Sequence, residues 1–501
     1  MARNLSKSKL IAFRQCPRRL WLEVHKPELR QDSAGSEARM EAGNELGRLA
    51  RQLYDPAGKG ETIDAQRDGF GPALARSMEV LSEAKPVFEA GYVAKGGLAF
   101  ADVMLPVGRA KTPAWRMIEV KSSTSVKDYH REDAAIQAYI ARSAGVPLEG
   151  IAVAHIASEF VYPGGGDYAG LLVEEDLTAE TSARAGEVAQ WIGEAQKVAA
   201  LAGEPEVRTG GHCSTPFACG FYDHCSAGEP QPEMPVDWLP RLQKKDVKEF
   251  IETKAITDLR DVPDEYLNEI QLRVKKSTIS GKTYFDKAGA ARELKGQGLP
   301  ACFLDFETVQ FTIPVWQGTR PYQQLPFQFS LHKLGADRQL THAEFLDLSG
   351  NDPCEAFADA LIASCDGKGP VFVYNAQFES GRIRELGQRF PRKARGLDAI
   401  ALRLVDVLPV ARRFYYHPGQ QGSWSIKHVL PSMVPELDYG ALQGVKDGAM
   451  ASAAFLEAIR PATTAERREQ IKQELLQYCW LDTYALARVW AHLSGFGEMR
   501  M

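Results

Sequence analysis

ACFLDFETV, residues 301–309, is the stretch on which the reading of this chain turns. Phe303, Leu304 and Phe306 are core residues by type, yet Asp305 and Glu307 stand two apart among them. Side chains alternate along a strand, so both carboxylates leave the same face. Two buried like charges are costly unless each is paired or both hold a cation. The alternative is an edge strand with solvated acids, which the flanking phenylalanines and leucine argue against. Working outward, QFSLHKL (328–334), HAEFLDL (342–348) and GPVFVYN (369–375) predict further strands. A helix is expected over roughly 353–365, and the remainder reads as helical to its last long segment, 469–493.

That order, strands first and helices after with acids at strand ends, predicts a ribonuclease-H-like layered fold. Tyr478 and Asp482 are four apart on the last helix and share a face. Asn375, Phe378 and Glu379 follow a strand directly, and Asp406 lies in an apolar run, Leu404 to Leu408, as a reserve acid or a network carboxylate. The sequence Asp-x-Glu, Asn-x2-Phe-Glu, Tyr-x3-Asp resembles the DEDD exonucleases, the DnaQ-like proofreading type with a tyrosine, across about 300–495. The resemblance implies that Asp305, Glu307 and Asp482 hold two divalent cations, Mg²⁺ or Mn²⁺, roughly 3.5–4 Å apart. It implies that Tyr478 orients the attacking water. Glu379 stands where the family has an aspartate, so it is the expected fourth acid.

The first third carries a different pattern. Strand-like runs at 86–94, 98–106 and 114–123 are followed by a helix at 131–145 and a strand at 151–157. Asp102 lies in the second run, Glu119 and Lys121 end the third, and Asp133 and Gln137 share a face of the helix. Glu89 is a further acid or a solvent-facing strand residue. Glu119 and Lys121 are either a surface ion pair, worth little, or two members of a hydrolytic set. Cys16 stands alone upstream, and Cys213, Cys219 and Cys225 close a Cys-x5-Cys-x5-Cys run. Together these features resemble the PD-(D/E)xK nucleases, restriction-endonuclease-like in fold, and in particular RecB-type nucleases with an iron–sulfur staple. The resemblance implies that Asp102 and Glu119 bind Mg²⁺ or Mn²⁺, that Lys121 stabilises charge on the attacked phosphate or helps position the water, and that Gln137 contacts the site or the DNA. It also implies that Cys16, Cys213, Cys219 and Cys225 hold a 4Fe–4S cluster. Four thiolates also suit zinc, but the paired Cys-x2-Cys knuckles of zinc sites are absent from the sequence.

At 501 residues the chain exceeds one ordinary core. An α/β chain is expected with a nuclease domain over 1–230, a linker and small helical connector over 231–299, and an exonuclease domain over 300–501. Residues 226–240 are rich in proline. A net charge of −5 gives no general attraction to nucleic acid, so phosphate contacts must be local, with the seven Lys and Arg between Arg273 and Lys295 one candidate. Eight cysteines in so long a chain do not make a disulfide scaffold. Cys302, Cys354, Cys365 and Cys479 read as small core residues. No run suits a membrane span and the basic start lacks an apolar h-region, so a cytoplasmic location is expected. The expected function is a metal-dependent nuclease acting on ends of nucleic acid, with single-stranded or end-containing DNA favoured and RNA possible. A nucleic-acid-binding assembly protein with a degenerate first site is the alternative.

Overall fold

The computed structural model describes residues 4–500 apart from 33, 109–112 and 243. It is mixed α/β, with two large sheets and a two-stranded one. The chain divides into two compact units, which are described separately: residues 1–230 with 311–322, and residues 231–310 with 323–501.

Unit 1 is built on strands β1 (Leu5–Ser6), β2 (Glu61–Thr62), β3 (Val87–Ala94), β4 (Gly97–Val107), β5 (Ala114–Lys121), β6 (Leu148–Ile156) and β7 (Leu172–Asp176). They run in the order β2-β3-β4-β5-β6-β7, with β1 beside β4. The three consecutive strands β3, β4 and β5 pair antiparallel, and β5 pairs parallel with β6. A parallel pair needs a crossover, which the helix Asp128–Ser143 supplies. Its apolar side, Ala134, Ala135, Ala138 and Ile140, shares a core with Met104, Trp115, Met117 and Val153 of the sheet. At Glu89 the backbone turns left-handed, φ 57°. Phe88 pairs with Val103 and Ala90 with Ala101 on either side of it, so Glu89 and Asp102 drop out of the ladder.

The first helical pattern is broken in two. Lys7–Gln15 ends at Cys16, whose backbone is extended, and Pro17 opens Pro17–His25. A proline at a first helical position loses no intrahelical bond, so the break falls naturally there. Residues 311–322 belong to this unit through their own bonds: Tyr162 donates its N–H to the carbonyl of Thr319 at 3.0 Å, and Gly318 returns one to Tyr162 at 2.8 Å. Ile313 is buried with Leu46, Ile156 and Leu171.

Unit 2 contains β8 (Tyr284–Phe285), β9 (Ala301–Val309), β10 (Leu325–Leu334), β11 (Leu340–Leu346), β12 (Val371–Val373), β13 (Leu404–Asp406) and β14 (Tyr415–Tyr416). The main sheet has the order β11-β10-β9-β12-β13, and β8 pairs with β14 apart from it. The strands β9, β10 and β11 form an antiparallel meander, while β12 runs parallel to both β9 and β13. This places the acid-bearing strand at the centre of the sheet. Three strands differ from the sequence reading. The stretch 241–299 is expected to hold none and contains β8, while 404–406 and 415–416 lie in a region expected to be helical but form β13 and β14. All three are two or three residues long, too short for period-2 alternation to register.

The last helix, Ala465–Ser494, is continuous over 30 residues. Thr464 caps its start by accepting from the N–H of Arg467, and Gly495 ends it in a left-handed turn at φ 71°. The amide of Gln328 on β10 donates to its Leu475 carbonyl at 2.8 Å. No described helix is long and apolar enough to cross a membrane.

Candidate metal centre and cysteine pocket

In unit 2, β9 and the last helix bring Asp305, Glu307 and Asp482 together. Their ligand oxygens all lie within 4.8 Å of one another, and among the described residues no other three acid, histidine or thiol groups do so. The strand contributes two acids because its period is 2, and the helix contributes the third from a face that also buries Tyr478, Cys479 and Leu481. Burial and mutual repulsion push the carboxyls up: Asp305 well above the usual range by desolvation and then by Asp482, Glu307 and Glu379. Glu307 rises for the same reasons, with Asp482 repelling it and the Lys427 ammonium pulling the other way. Asp482 is pushed up to about 6 by burial, held back by the Tyr439 hydroxyl and Lys427.

Glu379 and Asp406, the two acids open to assignment, are given different jobs by the geometry. The carboxylate of Asp406 accepts from the N–H groups of Asn375, Ala376 and Leu408, each at 3.0 Å. It caps the start of the helix Ala376–Arg389 and is fully occupied there. Glu379 is 2% exposed, and its Oε2 is buried with no hydrogen-bond partner. Desolvation pushes it up to about 8. It adds to the field on Asp305 but lies outside the three-acid group.

Two side chains in this site escaped the sequence reading. Tyr439 donates its hydroxyl to Asp482 Oδ1 at 2.6 Å, while Asp482 Oδ2 is buried without a partner. Lys427 donates to the Tyr478 hydroxyl at 3.2 Å and to the carbonyl of Lys446 at 2.6 Å. Lysine in the first turn of a helix opposes the helix dipole, and that was the one signal present in the sequence for Lys427. Tyr439 carried none.

The site's chemistry fits a hard divalent cation. The donors are carboxylate oxygens, the set that Mg²⁺ and Mn²⁺ favour. Asp482 Oδ2 and Glu379 Oε2 are desolvated acceptors with nothing to accept from, an arrangement that costs stability until a cation or proton is supplied.

In unit 1 the acids meet lysines instead. Glu119 is 2% exposed. Its Oε1 accepts from both Lys7 and Lys121 at 2.7 Å, and its Oε2 accepts from the Gln137 amide at 2.6 Å. Asp133 takes a second bond from Lys121 at 2.5 Å and lies 3.5 Å from Lys7. Desolvation works against the Glu119 charge, but the two ammoniums hold its carboxyl below the usual range. Asp102 moves the opposite way, upward by burial and by the Glu119 charge; its Oδ2 accepts from the N–H of Val120 at 2.7 Å. Glu89 is raised by burial and by Glu119. The sequence set is therefore brought together with Lys7 added: Glu119 takes three donors, while Asp133 Oδ1 and Gln137 Oε1 are buried without a hydrogen-bond partner.

The four cysteines line a single pocket with Gln15, Arg18, Arg208, His212 and Phe221. Cys16 sits at the start of Pro17–His25, and Cys225 lies in the helix Tyr222–Ala227. Gln15 donates to the carbonyls of His212 and Phe217 at 2.7 Å each, and Arg18 to Glu204 at 2.6 Å and Val207 at 3.0 Å. These bonds fasten the N-terminal helices to the cysteine run. Burial pushes the Cys225 thiol up to about 11 against the pull of Arg18. Tetrahedral zinc with bonds of about 2.3 Å would bring thiols to roughly 3.8 Å of one another. No three of these thiols lie within 4.8 Å of one another. Cys354, Cys365 and Cys479 are buried and Cys302 partly so.

Residues 302–425 match a family described only as a domain of unknown function (DUF2779). The match takes in Asp305, Glu307, Glu379 and Asp406 and stops before Lys427, Tyr439, Tyr478 and Asp482. No curated protein matches the chain.

Proposed function

We propose that this chain is a metal-dependent phosphodiester hydrolase, a 3′–5′ exonuclease whose active centre is Asp305, Glu307 and Asp482. The observation that carries the reading is the convergence of those three carboxylates within 4.8 Å with buried, unpartnered oxygen left over. Bound divalent cations there would lower the pKa of an attacking water and stabilise the leaving oxygen. The residues' own work is to hold the cations (Asp305, Glu307 and Asp482, with Glu379 behind Asp305) and to orient the water (Tyr478). The central β9 with an antiparallel meander on one side and parallel strands on the other supports a ribonuclease-H-like unit of the DEDD type.

The cysteine pocket supports a second element of the reading, a RecB-like domain over unit 1 in which Cys16, Cys213, Cys219 and Cys225 hold a 4Fe–4S cluster. Four thiols converging from positions about 200 residues apart in sequence favour a resident cofactor over packing. The substrate we propose is single-stranded or end-containing DNA, with RNA the alternative, and the cytoplasm is the proposed location.

End-labelled DNA and RNA strands, incubated side by side with Mn²⁺ or with EDTA, test this. Stepwise shortening from the 3′ end that requires Mn²⁺ and disappears in Asp305→Ala and Asp482→Ala is expected. Undiminished cutting by both variants would remove unit 2 as the active centre.

A further inference from the structure

Lys427 is a charged side chain beside the three acids that the function above does not use. It lies in the first turn of the helix Ile426–Met433, where its charge opposes the helix dipole. Its Nζ is 3.2 Å from the Tyr478 hydroxyl and 2.6 Å from the Lys446 carbonyl. It also sits over two aromatic rings, 4.9 Å from the centre of Tyr478 and 5.4 Å from that of Tyr439. Both rings belong to the acid site, because Tyr439 donates to Asp482 and Tyr478 is one helical turn before it. A flexible lysine is thus held by a carbonyl, a hydroxyl and two ring faces.

The chemistry of those contacts has a direction. An ammonium has three donors and no acceptor, so the Tyr478 oxygen must accept from Lys427. A phenol hydroxyl that accepts on one lone pair keeps its own hydrogen for a different partner. Lys427 therefore decides which way Tyr478 can donate. Tyr478 also holds the Asp482 carboxyl down; without Lys427 its hydroxyl can offer either hydrogen or lone pair to a water in the site.

We propose that Lys427 is a positioning residue for hydrolysis, acting through Tyr478: it takes up the tyrosine's lone pair and so turns the phenolic hydrogen toward the place of the attacking water. This rests on the reading of unit 2 as a hydrolytic centre. Lys427 is not offered as a cation ligand, and it need not touch substrate.

The test is a double-mutant cycle on the full chain with end-labelled single-stranded DNA and Mn²⁺, using wild type, Lys427→Met, Tyr478→Phe and the double variant. Methionine keeps the length and packing of the stem over the two rings. Lys427→Met should lower kcat about tenfold, an effect in the range of coupled neighbours, with KM little changed. In the Tyr478→Phe background the same substitution should do almost nothing, since the oxygen it orients is already gone. Mn²⁺ binding, read by electron paramagnetic resonance, should be retained in all four proteins and be no weaker in Lys427→Met, which removes a positive charge that acts on Glu307 and Asp482, and Lys427→Arg should recover part of the rate. An equal rate loss from Lys427→Met with and without the Tyr478 hydroxyl overturns the proposal, as does full activity in Lys427→Met. Lost Mn²⁺ binding in Lys427→Met would also overturn it, by showing that the lysine shapes the acids rather than the tyrosine. A wild-type chain that binds Mn²⁺ yet cuts nothing would instead bring down the hydrolytic reading, and this inference with it.

Discussion

The Tyr439 hydroxyl donates to Asp482 Oδ1 at 2.6 Å, while the second oxygen of that carboxylate is buried without a hydrogen-bond partner. A hydrogen bond to a charged acceptor contributes about 1.5–3 kcal/mol, and an orphaned buried acceptor costs a similar amount. Tyr439→Phe should therefore lower stability in urea by about 1–3 kcal/mol in EDTA. Excess Mn²⁺ should recover much of the loss by giving Asp482 a new partner. Equal loss with and without Mn²⁺ would show that Tyr439 is only filling space.

Thermal unfolding separates a metal centre from a mere cluster of acids. A cation that binds only the folded chain raises the unfolding temperature by mass action. Wild type should be stabilised by Mn²⁺, and Asp305→Asn and Asp482→Asn should lose that response. In EDTA both variants should be as stable as wild type or more so, since each removes one of several mutually repelling buried acids. A Mn²⁺ shift retained in Asp305→Asn would place the cation elsewhere.

What could be read beforehand depended on local periodicity. β9 and the last helix carry strong alternating and helical patterns, so Asp305, Glu307, Tyr478 and Asp482 could be paired on faces before any fold was known. Gln137 and Asp133 were placed on one helix face by the same logic. β13 was not legible because three residues carry no period, and with it went the capping role of Asp406. Lys7 and Tyr439 reach their acids from segments 112 and 43 residues away. No spacing rule connects such pairs, although Lys7 adds a second ammonium to the Glu119 carboxylate. The inclusion of residues 311–322 in unit 1 was equally hidden, because a chain excursion between two paired strands leaves no mark in composition.

His332 makes stability depend on pH. It is 2% exposed and its Nδ1 lies 2.8 Å from the Thr483 hydroxyl, while its ring meets those of His342 and Trp480 at 4.7 and 5.3 Å. Burial, then the neighbouring His342, depress it from 6.5 to about 3. The unfolded chain takes up a proton below 6.5 and the folded one does not, so this contribution is complete above 6.5 and is lost as pH falls toward 3. The gap between wild type and His332→Gln in urea should shrink by about 2–3 kcal/mol between pH 7.5 and 4.5. A gap that stays constant over that range would mean that His332 is protonated in the fold or solvated.

Proteolysis should find the junction between the units, and the structure narrows where. Within the proline-rich stretch, Val236 and Leu239 are buried, and Met234 and Val236 donate their N–H groups to Asp258 Oδ2 at 3.3 Å and to the Thr257 carbonyl at 2.8 Å. Ala227, Gly228, Pro230, Gln231 and Glu233 are exposed. Cleavage requires backbone that can leave its bonds, so brief digestion should cut within 227–233 and spare 234–240. First cuts inside β9 or the last helix would contradict the packing of unit 2.

The cysteine pocket yields the sharpest test of unit 1. Cys16 is remote from the other three in sequence but lines the same pocket, so the four should stand or fall together. The chain purified without oxygen should carry iron and acid-labile sulfide and absorb broadly in the visible. Cys16→Ser should remove that absorption as completely as Cys219→Ser. Both should also lower the unfolding temperature of unit 1, because a cofactor that joins residue 16 to residue 225 closes a loop of about 200 residues and restricts the unfolded chain. Unit 2 should be untouched: Mn²⁺ binding at Asp305 and Asp482 should survive both substitutions. Tightly held zinc in place of iron would leave the staple but change its chemistry, and a Cys16→Ser protein that keeps its full iron content would exclude Cys16 from the ligand set.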